Sequence, residues 1–251
     1  MTPTRTRWRR PSLLSTLPFL LLIVLFLSAA RWQWQRAEVK EQRTAQFRAA
    51  VQAEHPRPLS AALDAPRPSV AELVRIEGDL DRDRLILLDN RMRDGQYGVD
   101  VYALLHAHTG RSVLLGLGWV AADRSRRTAP VIPPLPMLVS GLALLTQPPA
   151  SGMRMGAASG MPGSVSDNLQ FPLLLSRIDI AGLRTALDLP GLPDRIAVLE
   201  ADAGSGFVRS WQLPGLSADR HRGYALQWLS FAIGTMVFYI LWHRPRKDSR
   251  P

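Results

Sequence analysis

His221, Tyr224, Ala225 and Trp228 stand at i, i+3, i+4 and i+7, a spacing that gathers them on one face of a helix. From Tyr224 to Trp242 no side chain is charged. Nineteen helical residues at about 1.5 Å each span about 28 Å, close to the hydrocarbon thickness of a bilayer. An imidazole at the mouth of such a helix, above an aromatic and small-residue face, has the chemistry to ligate the iron of a metal porphyrin. The same residues suit a plain interfacial anchor, because His, Tyr and Trp all favour the headgroup layer. Spacing alone favours the anchor.

Other clusters carry less. His106 and His108 lie two apart on an expected strand and share a face, which allows a metal pair; two surface histidines near a turn explain them more simply. Met153, Met155 and Met161 could ligate a soft metal, but methionine is also an adaptable loop residue. Asp89-Asn90-Arg91 reads as a turn with an internal ion pair. No G-x-S-x-G elbow, phosphate loop, dinucleotide fingerprint or H-E-x-x-H occurs; Ser151-Gly152 and Ser159-Gly160 lack the elbow pattern. No catalytic constellation stands out, and an enzyme is not expected. With no cysteine, thiolate metal sites, disulfides and thiol nucleophiles are excluded.

The elements that must position these residues follow from charge and hydropathy. The net charge is +10, and the two tails hold seven of it: Arg5, Arg7, Arg9 and Arg10 at the start, and Arg244, Arg246, Lys247 and Arg250 against Asp248 at the end. The middle is nearly balanced, which argues against a nucleic-acid-binding face. Basic tails outside two apolar segments are the positive-inside pattern. Both termini are therefore expected in the cytoplasm and the middle across the membrane. Leu13 to Ala30 is the first apolar segment, broken only by Pro18. Ser28-Ala29-Ala30 also resembles a signal-peptide cleavage site. Retention is favoured, because the apolar run is long and Arg31-Trp32-Gln33-Trp34-Gln35-Arg36 reads as an interfacial collar on the same helix. Nothing like a long transit peptide precedes it, which points to a bacterial plasma (inner) membrane.

Residues 36–52 read as a helix leaving the membrane, ended by His55-Pro56-Arg57-Pro58, with Pro66 and Pro68 marking a connector. Strands are expected over 73–78, 85–88, 99–106, 112–117, 138–145, 196–199 and 207–211, with a polar turn over Asp79 to Arg84 and a hairpin at Thr109-Gly110. Gly95, Gly98, Gly116 and Gly118 are expected at bulges or close backbone approaches. Arg124 to Arg127 reads as a basic turn, 130–136 as proline-rich extended chain, and 148–163 as a loop. A short helix is expected over Ser176 to Leu187, capped by Ser176 with Asp179 completing a capping box. Pro214 and Gly215 lead to the second apolar segment. The expected fold class is membrane α+β: two transmembrane helices flanking a β-rich extracytoplasmic domain, a small barrel or sandwich with a few helices. The boundaries are 1–11 basic tail, 12–30 first span, 31–223 outer domain with a juxtamembrane helix, 224–242 second span and 243–251 basic tail.

Three stretches, taken in order, resemble the surfeit-locus-one family of cytochrome c oxidase assembly factors. Trp32-Gln33 with Arg36 and Lys40 resembles the family's W-Q-x-x-R-x-x-x-K. Arg91, Gly95, Gly98 and then Val113 to Val120 are similar to its strand ending in N-R-G-W-V. His221 to Trp228 is similar to H-x-x-Y-A-x-x-W-F. Gly116-Leu117 stands where the family has Asn-Arg, and Leu229 where it has an aromatic. The resemblance covers nearly the whole chain. It implies a haem a cofactor, insertion of that haem into the large oxidase subunit, and His221 as the iron ligand. It shifts the balance at His221 toward the functional reading. Tyr224 and Trp228 would then line the macrocycle, while Trp32, Trp34 and Arg36 would stack on the ring or meet its propionates. Implied partners are the large oxidase subunit, the haem a synthesis machinery and the lipid membrane, with no nucleic acid. The rival is a scaffold that binds oxidase subunits and never touches haem.

Overall fold

The computed structural model describes residues 12–65, 69–125, 127–149, 170–200, 205–211 and 217–244. Pro66, Pro68, Arg126, the serine–glycine pairs, Met153, Met155, Met161, Pro214, Gly215 and nearly all of both basic tails lie outside the described residues. The chain divides into two compact units: a helical one, Met1–Thr44 with Gly215–Pro251, and a β unit, Ala45–Pro214.

The helical unit contains α1 (Leu13–Val51), which runs on into the β unit, and α4 (Ala218–Trp242). Both are long and apolar enough to cross a membrane. The first apolar segment, the collar and the juxtamembrane stretch form one continuous helix, as expected. Pro18 sits only in its second turn, where one lost backbone bond is cheap beside those that follow. Ser12 starts the helix by accepting from the Ser15 amide at 3.2 Å. Ser217 caps α4, accepting from the Arg220 amide at 3.4 Å, so α4 begins before Tyr224 and His221 lies inside its first turn.

Shielded positions on α1 recur at Thr16, Phe19, Ile23, Phe26, Ala30, Gln33, Ala37, Lys40 and Thr44, in alternating steps of three and four. On α4 they fall at Ala218, His221, Ala225, Trp228, Ala232, Thr235 and Tyr239 with the same alternation. That is the signature of two helices packed along a seam. Cross-contacts run antiparallel: Thr16 to Tyr239 hydroxyls at 2.9 Å, Phe19 to Tyr239 rings at 5.2 Å, Phe26 to Trp228 at 5.8 Å. Ala37, Ala225 and Ala232, the fully buried residues of the two helices, are small enough to bring the backbones together.

The β unit contains β1 (Arg57–Pro58), α2 (Leu59–Leu63), β2 (Ala71–Leu80), β3 (Ile86–Arg93), β4 (Gln96–Ala107), β5 (Ser112–Ala121), β6 (Leu138–Thr146), β7 (Leu173–Leu175), α3 (Ile180–Ala186) and β8 (Ile196–Leu199). The strand order is β1-β2-β6-β8-β5-β4-β3-β7, and β2 also pairs with β4. The extra pairing closes β2, β6, β8, β5 and β4 into a five-stranded barrel, which realises the barrel alternative of the expected fold. Closure depends on the length of β4. Its start pairs with β3 and its end, Leu105 to Ala107, turns to β2.

Alternation along β4 sends Val99, Val101, Ala103 and Leu105 into the barrel interior with Ile76, Val113 and Leu115. Tyr102 and Leu104 face the other way, onto Ile180 and Leu183 of α3 and Leu187 just past its end. Burial on both faces explains why this strand reads as an almost unbroken apolar run. Burial also pushes the Tyr102 phenol well above its ordinary value, helped by the Asp100 carboxylate.

Several expectations change. The β3–β4 connection is a two-residue turn at Asp94-Gly95, both with positive φ, rather than a longer link around Gln96-Tyr97. The helix expected from Ser176 begins at Ile180; Asp179 is its cap, accepting from the Gly182 amide. Residues 207–211 form no strand: only Val208 pairs, with Trp119, and side chains hold the rest. Arg209 Nε donates to the Leu117 carbonyl at 2.6 Å, and Trp211 Nε1 to the carbonyls of Val198 and Leu199. The glycine expectation holds at Gly98, where a Cβ would lie 2.2 Å from the Val120 carbonyl oxygen and 2.4 Å from the Trp119 ring.

Candidate functional site

The residues singled out for chemistry at the membrane fall in the helical unit. His221 Nδ1 lies 2.8 Å from Gln33 Oε1, which joins α4 to α1 across the seam. Arg222 reaches Glu41 at 2.6 Å about two turns further along α1. Trp228 stacks on Phe26 with an interplanar angle of 28° and meets Phe231 edge-on at 5.7 Å. Ala225 is buried between them in sequence.

The four-residue face therefore divides. His221, Ala225 and Trp228 occupy the helix seam. Tyr224 falls off it, because the seam steps from 221 to 225, and it is 46% exposed. On α1, Trp32 is 53% exposed, and the Arg36 guanidinium lies 5.6 Å from its ring centroid. Trp34 Nε1 donates to Glu38 at 3.0 Å, so the two collar tryptophans have different partners. The antiparallel packing thus sets His221 beside Gln33, the immediate neighbour of Trp32, and pairs Trp32 with Arg36.

A metal or porphyrin needs a ligand atom that the fold has not already consumed. In His221 one ring nitrogen is engaged by Gln33. The other, Nε2, takes part in none of the hydrogen bonds among the described residues. A half-buried imidazole with one engaged nitrogen has the donor chemistry of an axial haem ligand. Sequence reasoning noticed Gln33 only as part of a motif. Its place at the seam was visible in the three-four spacing of α1, once the partner helix is known.

The polar groups of the β unit serve structure. Asp89-Asn90-Arg91 is not a turn: it lies within β3 at a register shift, with Asn90 at φ 58. Nor is its ion pair internal. Arg91 and Arg93 both reach the buried Asp100, at 2.6 and 3.4 Å, while Asp89 accepts from the Tyr97 hydroxyl. Trp119 Nε1 donates to the Arg91 carbonyl at 3.0 Å and ties β5 to the same cluster. Leu117, at the position of the family's arginine, is buried in the barrel core, where a cation would lack water.

His106 Nδ1 pairs with Ser112 at 2.9 Å, and His108 lies just past β4 near Glu77 and Asp79. They are surface residues, and no group of three or more potential metal ligands occurs among the described residues. Arg195 is buried beside Glu72 and donates to the Leu145 carbonyl at 2.9 Å; burial lowers its pKa from the ordinary arginine value, against the opposing charge of Glu72.

A family model described as the SURF1 family matches residues 20–233, from within α1 to within α4. No curated protein matches the chain.

Proposed function

This chain belongs to the SURF1 family, and from that premise we propose that it holds haem a at His221 and hands it to the large subunit of cytochrome c oxidase. The family is generally associated with cytochrome oxidase assembly rather than with catalysis. The observation that carries the haem reading is His221 itself: a half-buried imidazole inside the first turn of an apolar helix, one nitrogen engaged and the other available. When bound, the haem would supply an iron centre, and His221 Nε2 is the atom that would hold it. Trp32 and Tyr224 offer exposed aromatic surface, and Arg36 a cation for a propionate. Holding by a single side chain would suit a group that must leave again.

In this reading α1 and α4 are retained membrane spans of a bacterial inner-membrane protein. Both basic tails face the cytoplasm and the barrel faces outward. A second reading, a scaffold that binds oxidase subunits without haem, draws support from the seam. Trp228 and Ala225 are already spent on helix packing against α1.

The absorption spectrum of the full-length protein purified from haem-a-producing cells separates the two. His221→Ala should insert and fold normally yet copurify with far less haem, and the ligand-sensitive bands should shift. Wild-type haem content and spectrum in His221→Ala, with oxidase assembly still failing, would replace the haem reading by the scaffold.

A further inference from the structure

We infer that Gln33 is a positioning residue that holds the His221 imidazole as its Nδ1–H tautomer, so that Nε2 presents a lone pair to iron. The inference rests on the reading of His221 as a haem ligand and adds a residue from the other helix to that site. The two side chains are 188 positions apart in the chain, yet 2.8 Å apart across the seam. An amide oxygen can only accept, so with Oε1 facing the ring Nδ1 carries the proton, and the neutral imidazole keeps its lone pair on Nε2. With the proton on Nε2, the imidazole could not ligate through that nitrogen. A hydrogen bond to the non-ligating nitrogen also fixes the ring plane and raises ligand basicity.

The surroundings are built to keep the pair in register. Ala225 and Ala37, each one turn along the seam, allow close helix approach. The Arg222–Glu41 ion pair and the Ser217 cap hold the first turn of α4 from outside the seam.

A glutamine at a helix seam could instead serve register alone. Two variants distinguish these roles. Gln33→Leu preserves bulk in an apolar seam but cannot accept a proton. Gln33→Glu keeps the acceptor and makes it anionic. In the haem-free full chain in lipid nanodiscs at alkaline pH, nitrogen-15 spectra of labelled histidine report the tautomer, with His221→Ala identifying the signal. The expected result is protonated Nδ1 in the wild type and in Gln33→Glu, and loss of that pattern in Gln33→Leu. Copurified haem should fall about tenfold or more in Gln33→Leu. Gln33→Glu should retain haem and lower its reduction potential.

A protonated Nε2 in the wild type overturns the inference. So does an unchanged tautomer, or unchanged haem content, in Gln33→Leu. A register role is revealed if Gln33→Glu loses haem while Gln33→Leu keeps it. Each of these outcomes leaves the His221→Ala test standing, whereas haem retained in His221→Ala removes the ligand reading whatever Gln33 does.

Discussion

Along twelve residues β4 buries side chains on both faces; along twenty-five, α4 buries only Ala225 and Ala232. The barrel is held by apolar area removed from water, with its charges paired at the margin, as at Asp100. In the membrane setting proposed for α1 and α4 that driving force would be absent, and close packing with a few polar contacts would hold the seam. Polar groups in the seam are specific in their pairing, as at His221 with Gln33 and Thr16 with Tyr239. The difference teaches where to look for chemistry: in the unit where a half-buried imidazole, held by one nitrogen, sits at the mouth of an apolar helix.

The largest test of this contrast is a core truncation. Leu115→Ala, at a fully buried position between β4 and β8, should destabilise the β unit by about 2–5 kcal/mol. Denaturant titration of the full chain in detergent, followed by tryptophan fluorescence, measures it. Leu21→Ala, on an exposed face of α1, should leave the same transition unmoved. Equal losses would break the contrast.

Gly98→Ala sharpens it inside the barrel. The new methyl meets the Val120 carbonyl and the Trp119 ring, both fixed, and should cost about 1–3 kcal/mol in the same titration. Ala225→Leu is its counterpart in the seam. It should force the helices apart and disturb the His221–Gln33 contact, while the transition of the β unit stays in place. Engineered cross-links between α1 and α4 would report the separation. Trp119→Phe keeps an aromatic ring but loses part of the buried volume and the bond to the Arg91 carbonyl, a loss of at least about 1 kcal/mol.

The smallest effect is at Asp81. Burial alone would raise its pKa, but the Arg84 side chain and backbone outweigh burial and hold it below the ordinary carboxylate value. Its contribution is thus present above about pH 3.9 and lost as pH falls through the lower folded-state value. Asp81→Asn should narrow the gap between neutral and acid stability slightly, measured by thermal unfolding between pH 5 and pH 2.

Much of the fold was legible because it is local. Two apolar helical runs, the continuity of α1 through its collar, and the apolar strand segments of β2, β4, β5 and β6 all follow from neighbours along the chain. What escaped was non-local or fine-grained. Nothing local says that β8 inserts between β5 and β6, or that β4 turns from β3 to β2 to close a ring. The Asp94-Gly95 turn was available in the residues themselves, but the glycines around Gln96 and Tyr97 drew attention past it. Ser176 and Asp179 were both fit to cap a helix, and the choice between them depended on where Ile180 could reach the core. At the site, spacing correctly put His221 and Trp228 on one side of α4. That the side faces Phe26 and Gln33 depends on a partner helix some 190 residues away in the chain.

The strand order ends in β1, two residues long and carrying Pro58, and in β7, three residues long. Past β7, β3 continues through a bulge with Asn90 at positive φ and with Arg91 and Arg93 along it. Free backbone at a sheet's rim is a template for strand addition by any extended chain nearby, and short, charged or bulged rims are how proteins refuse it. A biogenesis factor works beside unassembled apolar polypeptide, where such capture would be a constant hazard. The closed ring and its blunted ends make the barrel a poor nucleus for aggregation beside such chains.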